Sequence, residues 1–150
     1  MIKAIIFDWG RTLYDSERQA LYPHTEEVLS DLSIKYKLII VSLASDGNIS
    51  QRNSLLQDSG IAKYFTAVYF AERDKDSLYR IALQALDLKP QEVAIVDDRV
   101  IRGIRWGNQH GATTIWLRQG KFMDEEPDEE TGAPTYCISK IEDMCALGLL

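Results

Sequence analysis

The chain is expected to fold as a doubly wound α/β domain, a parallel sheet with helices on both faces in three layers. Two patterns carry that expectation. Short apolar runs rich in β-branched residues alternate with amphipathic stretches from Lys3 to Leu117. Strand, helix, strand repeated in this way gives parallel strands joined by right-handed crossovers. In addition, polar residues close several of the apolar runs, at the edge where such sheets bind ligands.

The first run, Lys3–Phe7, is a buried strand that ends on Asp8. Thr25–Leu32 places Val28, Leu29 and Leu32 on one helical face, with His24 beside Pro23 at its start. Lys37–Val41 is the second strand and runs into Ser42. Ser50–Leu56 is a helix stopped by Gly60. Ala67–Phe70 is the third strand. Ser77–Leu86 carries Leu78, Ile81, Ala82 and Ala85 at helical spacing, the clearest amphipathic pattern of the chain. Val93–Val96 runs into Asp97-Asp98, Val100–Asn108 is a helix ahead of Gly111, and Thr113–Leu117 is the fifth strand. Gln119–Thr135 is acidic and poor in apolar residues, hence an exposed connection. Tyr136–Ile138 adds an edge strand, and Ser139 with Glu142 forms a capping box for a last helix through Leu147, stopped by Gly148.

With 150 residues and 45% hydrophobic content, residues 1–150 make one domain around a single core. A net charge of -6 argues against nucleic acid or an anionic membrane as partner. No basic n-region followed by a long apolar stretch opens the chain, and no apolar run reaches membrane-span length. Cys137 and Cys145 are too few and too far apart for a chelating pair or a disulfide framework, so reduced thiols and a cytoplasmic setting are expected. Trp9, Trp106 and Trp116 are expected in the core, as aromatic residues of a small α/β domain usually are.

If the strands are parallel, one edge collects Asp8, Ser42, Arg73 or Lys75, and Asp97-Asp98. Each alone has an ordinary explanation: a turn or capping carboxylate, a strand-end hydroxyl, a solvated loop charge. Together they suit phosphoryl transfer. Mg²⁺ takes one or two carboxylates plus phosphate oxygens, a cation and a hydroxyl hold the remaining charge, and an Asp can attack phosphorus.

The order Asp8…Thr12, Ser42, Lys75, Asp97-Asp98 resembles the four motifs of the haloacid dehalogenase (HAD) superfamily, which is mostly phosphatases. The resemblance covers Lys3 to about Leu117. It implies a Rossmann-like core with Asp8 as nucleophile and metal ligand, Asp98 as second ligand and the Gly10 carbonyl as a third. It further implies Ser42 as phosphate donor and Thr12 as support of the loop; Thr12, Arg11 and Arg73 are the candidate substrate-binding residues. For the third motif, position relative to Tyr79 favours Arg73, whereas residue identity favours Lys75, which is preferred. Asp97 either joins the metal or acts beside Asp98 as a capping or supporting carboxylate.

Two departures qualify the resemblance. Family phosphatases carry a second Asp two residues after the nucleophile, as general acid and base. This chain has Gly10 there, followed by Arg11 where a glycine is usual. Proton transfer of that kind is typically worth about two to four orders of magnitude. Asp15 and His24 are the nearest titratable substitutes, although Asp15 suits a capping or solvated position after the loop and His24 a helix start; Arg11 either binds an anion or pairs with Glu17. Secondly, neither Tyr14–Tyr36 nor Leu43–Thr66 has room for a cap domain. Any cover for the site would come from Gln119–Thr135, a neighbouring subunit in a homo-oligomer, or the substrate.

The favoured expectation is a Mg²⁺-dependent phosphohydrolase working through an aspartyl-phosphate on a phosphorylated small molecule or macromolecular phosphoester. The alternatives are an impaired HAD-like metal- or phosphate-binding interaction module and a dehalogenase-type hydrolase using Asp8 on carbon. A receiver-like domain fits less well, since there the acidic pair follows the first strand.

Overall fold

A computed structural model describes residues 1–149. Six parallel strands form the main sheet in the order β5-β4-β1-β6-β7-β8: β1 Ala4–Phe7, β4 Lys37–Leu43, β5 Phe65–Ala71, β6 Val93–Asp97, β7 Thr113–Leu117 and β8 Tyr136–Ile138. A separate pair, β2 Tyr14–Asp15 with β3 Ala20–Leu21, makes a small antiparallel hairpin after β1 that the sequence reading did not anticipate. Two-residue strands carry too little periodicity to be read from sequence.

The alternation of side chains along each strand feeds two cores. Ile5, Phe7, Leu38, Ile40, Ala94 and Val96 face helix α1 (Thr25–Lys35), Leu56 of helix α2 (Ile49–Ser59) and the C-terminal segment. Ala4, Ile6, Ile39, Val41, Val93 and Ile95 face helix α3 (Lys75–Ala85) and Trp106 of helix α4 (Arg105–His110). Helices on both faces make three layers, the doubly wound arrangement the sequence implied. Because β1, β4 and β6 are covered on both sides, they read as unbroken apolar runs.

The helices run longer than their apolar patterns suggest, because capping sets their ends. Asn48 starts α2 by accepting from the Gln51 amide, and Gly60 closes it in the left-handed conformation, φ 82°. Asp74 accepts from the Ser77 amide, so α3 begins at Lys75, two residues before the amphipathic run. His24 does begin α1, with φ 68° and no side-chain cap. Asp15 forms a turn, accepting from the Glu17 and Arg18 amides. The stretch after Asp98 starts as a π-helix, Val100–Ile104, before α4.

Two expectations need correction. The last segment, Ile141–Ala146, is 3-10 helical with Lys140 at its start and no side-chain cap, so the Ser139/Glu142 capping box is absent. Glu142 instead faces His24 Nε2 at 3.5 Å, and the segment ends at Leu147 rather than through a left-handed Gly148. The Gln119–Thr135 connection is not simply solvated: Thr131 is buried, and Glu125 accepts from Arg99 and from the Val100 amide. Trp9, Trp106 and Trp116 are buried, and Cys137 and Cys145 are free and exposed. No helix among the described residues is long and apolar enough to cross a membrane.

The C-terminal segment is tied to α1 by one buried hydrogen bond, from the Tyr36 hydroxyl to the Leu149 carbonyl at 2.7 Å. Tyr36→Phe leaves that carbonyl unpaired and is expected to cost about 1 kcal/mol. The expected result is a lower urea midpoint, with faster amide exchange confined to residues 141–149. Uniform acceleration across the chain would contradict this local anchoring.

Candidate active site

Register brings the polar residues together. Phe7 lies opposite Ile40 and Val96, so Asp8 emerges from β1 flanked by the last turns of β4 and β6. β4 continues past Val41 because its pairing with β5 extends to Leu43 opposite Ala71, which places Ser42 inside the strand. Asp97 is the last residue of β6, and Asp98 is the first beyond it.

Asp8 is nearly buried and its two oxygens are treated differently. Oδ1 accepts from Ser42 Oγ at 2.7 Å and lies 3.3 Å from Lys75 Nζ. Oδ2 has only the Thr12 hydroxyl, at 3.5 Å. Thr12 is completely buried, and its hydroxyl, with one proton to give, lies closer to Asp98 Oδ1, at 3.2 Å. It lies between two carboxylates and is not among the residues lining the cavity, a position that suits support of the loop.

Lys75 reaches the site because α3 starts at that residue. Its Nζ donates to Asp97 Oδ2 at 2.7 Å. Burial by itself would lower the ammonium pKa; the charges of Asp8 and Asp97 more than offset this and raise it well above the ordinary value. Arg73 is exposed in the loop before α3 and is not among the residues lining the cavity, so geometry separates the two third-motif candidates.

Asp97 has both oxygens committed. Oδ1 accepts from the Arg99 amide at 3.0 Å, and Oδ2 accepts from Lys75 and from the Gly103 amide at 2.9 Å. Burial opposes its charge, but Lys75 and these donors hold its pKa below the ordinary value. A side chain at position 103 would put its Cβ 2.5 Å from Asp97 Oδ2 and 2.6 Å from the Tyr79 hydroxyl, so glycine is required there. Of the two readings of Asp97, this geometry favours the supporting carboxylate over the metal ligand.

Asp98 is the opposite case. Its Oδ2 is buried with no hydrogen-bond partner among the described residues, and burial, then Asp97 and Asp8, push its pKa up to about 9. One oxygen from each of Asp8, Asp97 and Asp98 can be chosen so that all three lie within 4.8 Å of one another. A buried carboxylate oxygen that no protein donor satisfies, beside a second carboxylate, has the character of a divalent-cation ligand.

Asp8, Gly10 and Asp98 line one cavity of about 510 Å³ with Ser42, Arg11 and Tyr14. At Gly10 an added Cβ would meet nothing within 4 Å. Arg11 has φ 63°, the left-handed region that favours glycine, and its guanidinium is 3.8 Å from Glu17. Sequence reasoning missed four further lining cations, Arg52, Arg99, Arg102 and Lys121. It also missed Gln119, whose amide donates to the Arg11 and Thr12 carbonyls at 3.1 and 3.4 Å. Arg99 had a signal in following the acidic pair; the others come from segments with no motif.

Asp98 sets a pH dependence of folding. The folded chain keeps its proton up to about pH 9, whereas an unfolded carboxyl releases it near pH 4. Between those values the folded state binds more protons, so this group makes stability fall as pH rises through the window. Asp98→Asn removes the ionisation. In metal-free buffer from pH 5 to pH 9, wild type is expected to lose more melting temperature than the variant. Equal slopes would show that Asp98 ionises normally.

A family model described as HAD-hydrolase-like matches residues 75–144, just under half of the chain, a stretch that contains Lys75 and Asp97-Asp98. The chain is 28% identical over 148 residues to a glyceraldehyde 3-phosphate phosphatase of Methanocaldococcus jannaschii, covering 93% of this chain and 62% of that protein. It is 24% identical over 135 residues to a phosphoserine phosphatase of Thermus thermophilus, covering 87% of this chain and 52% of that protein. The chain thus spans little more than half the length of the curated relatives it matches. Its fold superposes with a TM-score of 0.81 on the putative HAD-hydrolase YfnB of Bacillus subtilis bound to magnesium, at 13% identity and with 99% of both chains covered. The family model, the phosphatase relatives and the shared sheet topology together support membership of the haloacid dehalogenase superfamily.

Proposed function

We propose that the chain is a Mg²⁺-dependent phosphohydrolase that works through an aspartyl-phosphate on Asp8. The observation that carries this reading is the contrast between two neighbouring carboxylates. Asp8 keeps Oδ2 nearly free while Ser42 and Lys75 polarise Oδ1, and Asp98 presents an unpartnered oxygen beside it. The donor set fits Mg²⁺, with Asp8, Asp98 and the Gly10 carbonyl as protein ligands and Asp97 behind them. Bound there, Mg²⁺ would offset the repulsion between the carboxylates and a phosphoryl group.

In the first step Asp8 Oδ2 attacks phosphorus, the bond to the ester oxygen breaks, and that oxygen leaves with the electron pair. In the second, water attacks phosphorus and the bond from phosphorus to Asp8 Oδ2 breaks, releasing inorganic phosphate and the Asp8 carboxylate; the proton that water loses to solvent matches the one the departed ester oxygen takes from it. Ser42 and Lys75 orient Asp8 and balance charge on the transferring group. The names of the relatives, which are phosphatases of small phosphate esters, support small phosphorylated molecules as substrates. We further take residues 1–150 as one uncapped domain, since only the β2–β3 hairpin separates β1 from α1, and only α2 with a 3-10 turn separates β4 from β5. Two free exposed thiols suit a reducing, cytoplasmic compartment.

Gly10 favours a second reading, a binding module that retains metal and phosphate sites without turnover. The dehalogenase reading has less support, since attack on carbon gives no use to a carboxylate cluster suited to metal.

The deciding experiment is a phosphatase screen in Mg²⁺ beside Asp8→Asn. Turnover and acid-stable phosphoenzyme are expected in wild type and absent in the variant. With no general acid at position 10, aryl and acyl phosphates should be cleaved faster than alkyl phosphates. At position 10 the Cβ of an introduced Asp meets nothing within 4 Å, and Arg11→Gly relieves the left-handed residue beside it. The double variant is expected to raise alkyl-phosphate turnover about a hundredfold. Mg²⁺ binding without turnover or phosphoenzyme in wild type and double variant alike would establish the binding module.

A further inference from the structure

The rim of the cavity has a charge opposite to that of the chain. Acidic residues outnumber basic ones 23 to 17 overall, yet the charged side chains lining the cavity are Arg11, Arg52, Arg99, Arg102 and Lys121 against Asp8 and Asp98. The five cations come from four separate segments: the loop after β1, α2, the turn after β6 and the Gln119–Thr135 connection.

Not all five are free. Arg52 is paired with Asp46 at 3.2 Å, and Arg99 with Glu125 at 3.1 Å. Arg102 and Lys121 have no carboxylate within ion-pair distance among the described residues, and Arg11 has only the loose contact with exposed Glu17. Arg11, Arg99 and Lys121 also gather around one ring: Arg99 Cζ lies 3.6 Å from the centre of Phe122, Lys121 Nζ 5.5 Å and Arg11 Cζ 5.9 Å. Glu125 pairs with Arg99 at 3.1 Å, and Glu17 lies 3.8 Å from Arg11. Like charges concentrated this way repel one another, so the arrangement is poised for an anion.

The catalytic carboxylates already have Lys75, and the proposed metal, to balance them. The rim cations therefore answer a charge further out. Resting on the phosphohydrolase reading, we infer that the substrate is a compact phosphate ester carrying a second anionic group, a carboxylate or another phosphate, held by Arg102 and Lys121 with Arg11. Cavity size fits a small molecule, since about 510 Å³ lies within the usual range for such sites. The acidic remainder of the surface disfavours a long polyanion such as nucleic acid.

The test separates binding from turnover. Calorimetric titration in Mg²⁺ compares methylphosphonate, which has one anionic group, with 3-phosphonopropionate and 1,3-propanediphosphonate, which carry a second carboxylate or phosphonate. At least one of the two longer ligands is expected to bind wild type about tenfold more tightly, or better, as a charge-assisted contact supplies. In Arg102→Met with Lys121→Met that advantage should vanish while methylphosphonate affinity stays put. Which of the two longer ligands gains identifies the second group. Equal affinity of all three ligands for wild type, or an advantage that survives in the double variant, overturns the inference. Tighter binding of a 5′-phosphorylated oligonucleotide than of either longer ligand overturns it in favour of nucleic acid. A dianion advantage without turnover would retire the catalytic reading and leave the anion site standing.

Discussion

Three carboxylates with oxygens within 4.8 Å of one another, all buried, and a single buried lysine among them set the conditions for the rest of the site. Two unit charges about 4 Å apart repel by about 4 kcal/mol at protein-like screening. The chain meets this repulsion unequally. Asp97 receives Lys75 and two backbone amides and stays ionised; Asp8 shares Lys75 and takes the Ser42 hydroxyl; Asp98 is left with a proton and an unpaired oxygen. That inequality gives each carboxylate a different chemical character within one cluster.

The supporting structure follows from this arrangement. Lys75 can serve two carboxylates only because Asp74 starts α3 one residue before it, aiming the first helical side chain at the sheet. Asp97 can reach both Lys75 and the Gly103 amide only because the following segment opens as a π-helix with glycine at the close approach. π-turns of this kind tend to occur at functional sites. The Trp116 indole then holds the Asp98 carbonyl at 3.0 Å, fixing the backbone between the paired carboxylate and the unpaired one.

The outer part of the site is organised by the Gln119–Thr135 connection. It is tied inward by Gln119 to the loop after Asp8 and by Glu125 to Arg99 and Val100. Its acidic residues are thus not an undifferentiated solvated run. One of them neutralises an arginine that would otherwise add to the cationic rim, while Lys121 and Phe122 from the same segment enter the cavity wall. Gly10 and Arg11 sit at the junction of inner carboxylates and outer cations.

The sequence by itself determined the parallel sheet, its strand order of appearance and the edge on which Asp8, Ser42 and Asp97-Asp98 converge. The reason is that strands buried on both faces must be continuously apolar, so any polar residue ending one stands out. Asp8 and Asp98 were legible for that reason, as was the absence of a side chain at Gly10. Only the tertiary structure shows that Lys75, and not Arg73, lies against Asp8 and Asp97, because that depends on a capped helix start that shifts the pattern by two residues. It alone separated Asp97, with donors on both oxygens, from Asp98, whose Oδ2 has no partner among the described residues, since adjacent identical residues differ only in what surrounds them. The rim of Arg52, Arg102 and Lys121 was likewise invisible: exposed cations carry no periodicity, and their meaning arises only when distant segments meet around one cavity.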